Sequence, residues 1–555
     1  MNAIATAKER QLDWLLGEVL GDVVATRARR IASAAATAGS HRWPTAAMVL
    51  LAVAAAVGVA WLRQGDDGQA TVSPASQLPQ SELEWHEIMN ASQLDTLPID
   101  AQNVRCFDFD DAAVARLARF TAIERLDLGG MAVNDKGYAV ALPITDAALT
   151  TIAGLPRLRW LSLKGCEQVK GTGLVELEKL ARLEHLDLTH TAIDSPALER
   201  LQRLPALREL LLSWCMQFHG RSLAAVAGIP GLRRLELRGC TTLRAADVAH
   251  LAKLHELRHL DLRDCQGRFR GQTLVLDGEE PDDPPPQDGI GITAASIAAL
   301  SGLQLETLLL GGSESLTDAV GDTLARMTTL RDLDLSGLPK ITPALLPKLP
   351  TGLTSLALDN CAGLYRAATA AAEPTPLRLP TLPALRELAM LGANGHELSF
   401  ALAGRRLTSL RIGTMIGLRN PEAMRRGSDK VGAAIAAQPD LTRLTVVDST
   451  GDWRHFLSDV TTLDRLRELT LTVLHAGRTE LERLDECTGV EALRLVNCRR
   501  FDQAVLDDLA GLPLRELTFR GTDVPAERIR ALAGSWPGCE ITLTNGHRFR
   551  VPKAR

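Results

Sequence analysis

The sequence predicts an α/β solenoid, in which short parallel strands stack one per repeat and are joined by short helices. Three observations predict it. First, the pattern Leu-x-x-Leu-x-Leu recurs along most of the 555 residues, as at Leu183–Leu188, Leu207–Leu212, Leu232–Leu237 and Leu257–Leu262. Allowing Val, Ile, Phe or Met at some positions, sixteen copies run from Val104 to Phe519, with a worn copy at Ile541–Leu543. Second, the commonest spacing is 24 or 25 residues, a fixed period that marks units able to bury a core only against their neighbours. Third, six of the nine cysteines recur three residues after the last leucine: Cys166, Cys215, Cys240, Cys265, Cys361 and Cys498.

Composition narrows the function. Net charge is -5, from 62 basic and 67 acidic residues, so no electrostatic footprint points to nucleic acid. Aromatic residues are 4% of the chain, which argues against stacking platforms for bases or sugars. One cysteine per repeat does not fit a disulfide framework. The six read instead as a buried ladder of small polarizable side chains and free thiols. Rungs about 4.8 Å apart would let Cys215, Cys240 and Cys265 pair if oxidised. Cys106, Cys487 and Cys539 lie off the ladder without metal-ligand spacing.

From the N-terminus, residues 1–42 read as a short cytoplasmic head. Leu12, Leu15, Leu16, Val19, Leu20 and Val23 fall at helical spacing there, with Trp14 beside them, which predicts an amphipathic helix. Residues 44–62 are nineteen positions without a charge, flanked by Trp43 and containing Trp61. That length spans a hydrocarbon core of about 30 Å. Arg27, Arg29, Arg30 and Arg42 precede the run and Arg63 follows it, so the expected topology is single-pass in a bacterial inner membrane, N-terminus cytoplasmic, repeats outside. That compartment is oxidising, and burial would protect the ladder thiols. Residues 63–80 read as a flexible linker, and 81–103 as the cap that a terminal repeat requires.

The repeat domain is expected over 104–543, with a tail at 544–555. In the unit Ile144–Leu163, Thr145 is positioned to cap a short helix burying Leu149 and Ile152. Gly154 and Pro156 stop that helix, and a strand is expected at Leu158–Leu163. The spacing breaks at insertions near 129–143, 266–290, 361–383 and 413–437. The second contains Asp277–Asp288, with six acids, four prolines and no base, a composition that stays unfolded. Its carboxylates lack calcium-loop spacing. Solenoid insertions emerge as loops on one face, often the binding face.

Taken together, Leu-x-x-Leu-x-Leu-x-x-Cys followed by Ile-Thr-x-x-x-Leu resembles the cysteine-containing class of leucine-rich repeats, which is ribonuclease-inhibitor-like. Leu232-Arg-Arg-Leu-Glu-Leu-Arg-Gly-Cys240-Thr-Thr-Leu243 matches closely. The resemblance covers residues 104–543. It implies a curved, right-handed leucine-rich repeat solenoid with the parallel sheet on the concave side and short helices on the convex side. Its implied activity is protein binding. The C-terminal repeats depart from the pattern, with Met415 and Leu474 at the ladder position. The head also resembles the N-termini of membrane-tethered bacterial anti-sigma regulators. That implies an alternative, a transmembrane signalling regulator whose head is controlled by ectodomain binding.

His255-Glu-Leu-Arg-His259 matches the zinc metalloprotease signature, which requires both histidines on one helical face. The repeat register instead places His259 on a strand. His185 and His259 fall three strands apart, about 15 Å, too far to share a metal. No catalytic triad, phosphate-cradling loop or paired-carboxylate site stands out, and a solenoid sheet lacks the enclosed pocket of a small-molecule site. The expectation is therefore no enzyme, no cofactor, no metal and no small-molecule substrate.

The solvent-facing column between paired leucines reads Asp127, Ser162, Asp187, Leu211, Glu236, Asp261, Leu309 and Asp334, then Ala357, Ala389, Arg411, Thr445, Thr470, Arg494 and Thr518. Its first half is acidic and its second is not. Adding the flanking columns gives a candidate partner-binding patch: Trp160, Lys164, His185, Asp187, Arg234, Glu236, Arg238, His259, Asp261, Arg263 and Asp334. The plain alternative is that Leu-Asp-Leu is simply how this repeat is filled.

Overall fold

The computed structural model describes residues 85–552 apart from 131, 134–138, 141, 216–220, 266–290, 367–376, 394, 415–427, 449–456, 474–482, 499–502 and 545–547. The expected head, membrane run and linker, and the acidic insertion, lie outside the described residues. Among those described, no helix is long and apolar enough to cross a membrane.

Strands appear once per repeat. They begin with β1 (His86–Ile88), β2 (Asn103–Cys106) and β3 (Arg125–Asp127), followed by a small hairpin of β4 (Ala132–Val133) and β5 (Ala139–Val140). Then come β6 (Trp160–Ser162), β7 (His185–Asp187), β8 (Glu209–Leu211), β9 (Arg234–Glu236), β10 (His259–Asp261), β11 (Thr307–Leu309), β12 (Asp332–Asp334) and β13 (Ser355–Ala357). The series ends with β14 (Glu387–Leu391), β15 (Ser409–Thr414), β16 (Arg443–Asp448), β17 (Glu468–Val473), β18 (Ala492–Val496), β19 (Glu516–Arg520), β20 (Glu540–Thr542) and β21 (Arg548–Arg550).

Hairpin aside, each strand pairs in parallel with the next in order, and β3 pairs directly with β6. The same register carries through from β11 to β20. This is a leucine-rich-repeat-like α/β solenoid. The chain beyond 543 is not a plain tail, because β21 pairs antiparallel with β20 at that end of the sheet.

Within a unit the leucine columns make the core. Leu158, Leu161 and Leu163, the next repeat's Leu183, Leu186 and Leu188, and the helix residues Leu149 and Ile152 are all fully buried. Helix starts follow the sequence chemistry. Asp110 accepts the Ala113 N–H at 2.8 Å, and Asp194 accepts that of Ala197 at 3.0 Å with Pro196 in the first turn. Thr145 accepts the Ala147 N–H at 3.2 Å at the helix start, as expected, and does more. Its helix runs Ala148–Ile152, and the Thr145 hydroxyl donates to Asp111 of the preceding repeat at 2.6 Å, tying two repeats together. Thr342 and Asp318 repeat that tie at 2.5 Å. The expected strand Leu158–Leu163 shortens to Trp160–Ser162.

A recurring arginine also escaped the pattern. Arg208, Arg331 and Arg467 each follow a repeat's first leucine and donate to carbonyls of their own turn and of the next repeat. Arg331 reaches Leu330 O at 3.0 Å and Gly352 O at 3.4 Å.

Candidate functional site

The six ladder cysteines are fully buried free thiols. Each donates to the carbonyl of the preceding repeat's last strand leucine. Cys215, Cys240 and Cys361 do so at 3.2 Å, to Leu188, Leu212 and Leu335; Cys265 reaches Leu237 at 3.0 Å. Cys166 and Cys498 reach Leu128 and Leu471 at a looser 3.8 Å. Burial pushes the Cys166 thiol up to about 12, so these sulfurs stay protonated donors rather than nucleophiles. The residue before each ladder cysteine turns the chain through positive φ, as at Gly165, Trp214, Gly239, Asp264, Asn360 and Asn497. A Cβ on Gly239 would run into the Trp214 ring.

The acidic column satisfies a different backbone group at the strand ends. Asp127, Asp187, Asp261 and Asp334 each accept the backbone N–H two residues on, from Gly129, Thr189, Arg263 and Ser336, at 2.8 to 3.0 Å. In a longer parallel pair that N–H would continue the ladder to the preceding strand. From β14 to β19, where the column holds Ala, Arg or Thr, the strands run five or six residues, whereas β13 with Ala357 and β8 with Leu211 stay at three. The carboxylates are thus structural at their inner oxygen.

The structure brings several of the proposed patch residues into contact with one another. Arg234 pairs with Glu236, which lies 3.8 Å from His259 Nε2. Arg263 grips Asp261 at 2.7 Å and approaches Asp334 at 3.9 Å, and Arg238 holds Asp264 at 3.1 Å. Burial is deep: the Asp261 side chain is only 2% exposed. Burial works to raise the Asp261 carboxyl, but the Arg263 charge and hydrogen bonds hold it below the usual range. Burial drives the His259 ring down to about 3, helped by the Arg234 charge, so it is neutral. Burial pushes Asp332 up to about 6; the Ser355 hydrogen bond opposes that, while Asp334 and Glu387 add to it. His255 sits in the turn before β10 and His259 within it, so the two share no helical face. Among the described residues no group of three or more His, Cys, Asp or Glu is placed to hold a metal.

The first strands hold something composition did not suggest. Trp160 stacks flat on His185, with ring centroids 4.9 Å apart and planes 11° from parallel. Trp85 meets Trp160 edge-on at 5.7 Å, and the Arg105 guanidinium lies 4.7 Å over the Trp85 ring. Both ends are pinned by acids: Arg105 to Asp127 at 2.9 Å and to Glu87 at 3.3 Å, His185 Nδ1 to Glu209 at 2.9 Å. Burial opposes ionisation of Glu209, yet the His185 bond and nearby Arg234 and Arg125 keep its carboxyl low. Trp85, Arg105 and Glu209 were not among the sequence candidates. Trp85 stands just before β1, where the worn leucine pattern hides the register, although Arg125 and Glu209 occupy the same column as Trp160. Lys164 is exposed at the far end of the same stretch and Asp187 is buried beside it.

No protein-family model matches the chain, and no curated protein matches it. Among solved structures, an internalin from Listeria monocytogenes is similar over 67% of this chain and 80% of its own, at 14% identity and a TM-score of 0.32. The fold assignment rests on the strand register, not on that likeness.

Proposed function

We propose that this chain is a membrane-anchored bacterial protein of the cysteine-containing leucine-rich repeat class, whose extracytoplasmic solenoid binds protein partners through its sheet face. The observation that carries the reading is the aromatic ladder of Arg105, Trp85, Trp160 and His185, on a face that also holds the ion pairs Arg234–Glu236 and Arg263–Asp261. Tryptophan and arginine are the side chains that most often anchor protein interfaces. A ladder already stacked loses little side-chain freedom on binding. The uncharged run at 44–62 and its upstream arginines support the anchor and the orientation. The class is supported by the buried thiol ladder.

A photo-crosslinking amino acid placed at Lys164 of the full chain in living cells should give protein adducts. The same group at Arg200 on the helical side should give none. Adducts from neither position, or equally from both, would sink the reading. Protease added to spheroplasts should degrade the repeats and spare the head; surviving repeats would reverse the orientation.

A further inference from the structure

The sheet ends in an open strand edge on each side. Among the described residues β1 has β2 as its sole partner, and β21 has β20. The two edges differ in charge. Residues 81–103 hold five acids and neither Lys nor Arg, whereas residues 541–555 hold four Lys or Arg and no acid. A wider count keeps the contrast: eight acids against three arginines over 81–119, and eight Lys or Arg against four acids over 515–555. The backbone is aimed as well. Ile88 O accepts the Phe107 N–H at 2.8 Å, so Ile88 bonds toward β2 and the N–H and C=O of Glu87 point to the open edge. At the other end the Val551 N–H reaches Cys539 O at 2.8 Å. That alternation turns Phe549 toward β20 and leaves the backbone of Arg548 and Arg550 at the open edge.

The side chains follow the same alternation. Glu87 stands in the outward column with Arg105, while Ile88 is buried in register with Cys106. Arg548 and Arg550 lie in register with the outward Thr542 and Glu540, and Phe549 packs against the core in register with Ile541. Both arginines are exposed, and neither comes within ion-pair distance of a carboxylate among the described residues. Arg550 donates to Gly538 O at 3.4 Å instead. The Glu87 side chain is 55% exposed and meets Arg105 at 3.3 Å, whereas Asp127 holds that arginine more closely, at 2.9 Å. Met89 and Ile99, two of the three exposed large apolar side chains among the described residues, also lie on this N-terminal cap.

We propose that a second copy of this chain adds head to tail, β21 of one copy pairing with β1 of the next. Because β21 runs against the rest of the sheet, copies with the same strand direction meet there as an antiparallel pair. Glu87 and Arg550 then stand opposite each other and exchange both main-chain hydrogen bonds, while their side chains meet on the outward side. Phe549 falls beside Ile88 on the inward side, so the core continues across the junction. A single register meets both demands, bonding groups on the facing edges and side chains on matching sides. Charged residues on an edge usually deter pairing, and two ends of like sign would do so here. Opposite signs remove that barrier and disfavour head-to-head and tail-to-tail contacts. The interface is heterologous, so each added copy leaves one edge of each sign open and association extends into chains. The inference does not rest on the protein-binding reading of the sheet face.

Sedimentation velocity of the full chain in detergent tests this. Association should rise with protein concentration and weaken with added salt. Arg548→Glu with Arg550→Glu should weaken it at least tenfold without shifting thermal unfolding, since both positions are exposed. Glu87→Arg alone should also weaken it at least tenfold. Mixing these two variants should restore association, because each supplies the end that the other cannot find in its own copies. A chain that stays monomeric at every concentration overturns the proposal. Association untouched by charge reversal overturns it too, placing the contact between copies elsewhere, as in the uncharged run at 44–62. Loss in both variants with no recovery on mixing overturns the end-to-end pairing.

Discussion

Asp261 and Cys265, four residues apart, finish the same strand. The Asp261 carboxylate takes the Arg263 N–H at 2.9 Å, and the Cys265 thiol donates to Leu237 O at 3.0 Å. Together they satisfy the two backbone groups left over where β10 stops pairing with β9. In this repeat an acidic position and a cysteine position together end one strand.

Cys265→Ala should cost about 1–3 kcal/mol in denaturant unfolding, because a buried carbonyl loses its donor. Cys265→Ser keeps a donor and should cost clearly less. Equal losses for the two substitutions would mean that the sulfur only fills space.

Arg263→Met should destabilise by about 3–5 kcal/mol, since it leaves the Asp261 carboxylate buried without its cation. Combining it with Asp261→Asn should recover part of that loss. Simple additivity in the double-mutant cycle would show that the pair does not act as a unit.

Asp332 gives a pH signature. Its folded carboxyl titrates at about 6, above the ordinary 3.8. The folded state therefore holds more protons between those values, and this group's stabilisation is present below about pH 4 and lost as pH rises through 6. Asp332→Asn should stabilise the protein at pH 7.5 by roughly 3 kcal/mol, since each tenfold change in proton affinity is worth about 1.4 kcal/mol, and leave it unchanged at pH 3.5. A gain independent of pH would place the effect in packing rather than ionisation.

Gly239→Ala should cost at least about 1–2 kcal/mol, because the position has φ +72 and a Cβ there strikes the Trp214 ring. Gly302→Ala, with open space around it, should be close to neutral. Thermal unfolding of the two variants side by side checks the contrast.

Periodicity alone was enough to read the solenoid, the buried leucine columns and the single position shared by six cysteines, because each depends on a local spacing repeated in sequence. The same register placed His259 on a strand and every patch residue on the outward face. Pairing along that face was decided by the fold. His185 with Glu209, Arg263 with Asp334 and Trp85 with Trp160 depend on how far long side chains reach across strands, which a column of letters does not contain. The aromatic ladder is the clearest case. A composition of 4% aromatics argued against a stacking surface, yet stacking joins residues 75 positions apart, Trp85 to Trp160, into one edge of one sheet. Strand spacing of about 4.8 Å converts such sequence distances into contacts, and only the tertiary structure performs that conversion.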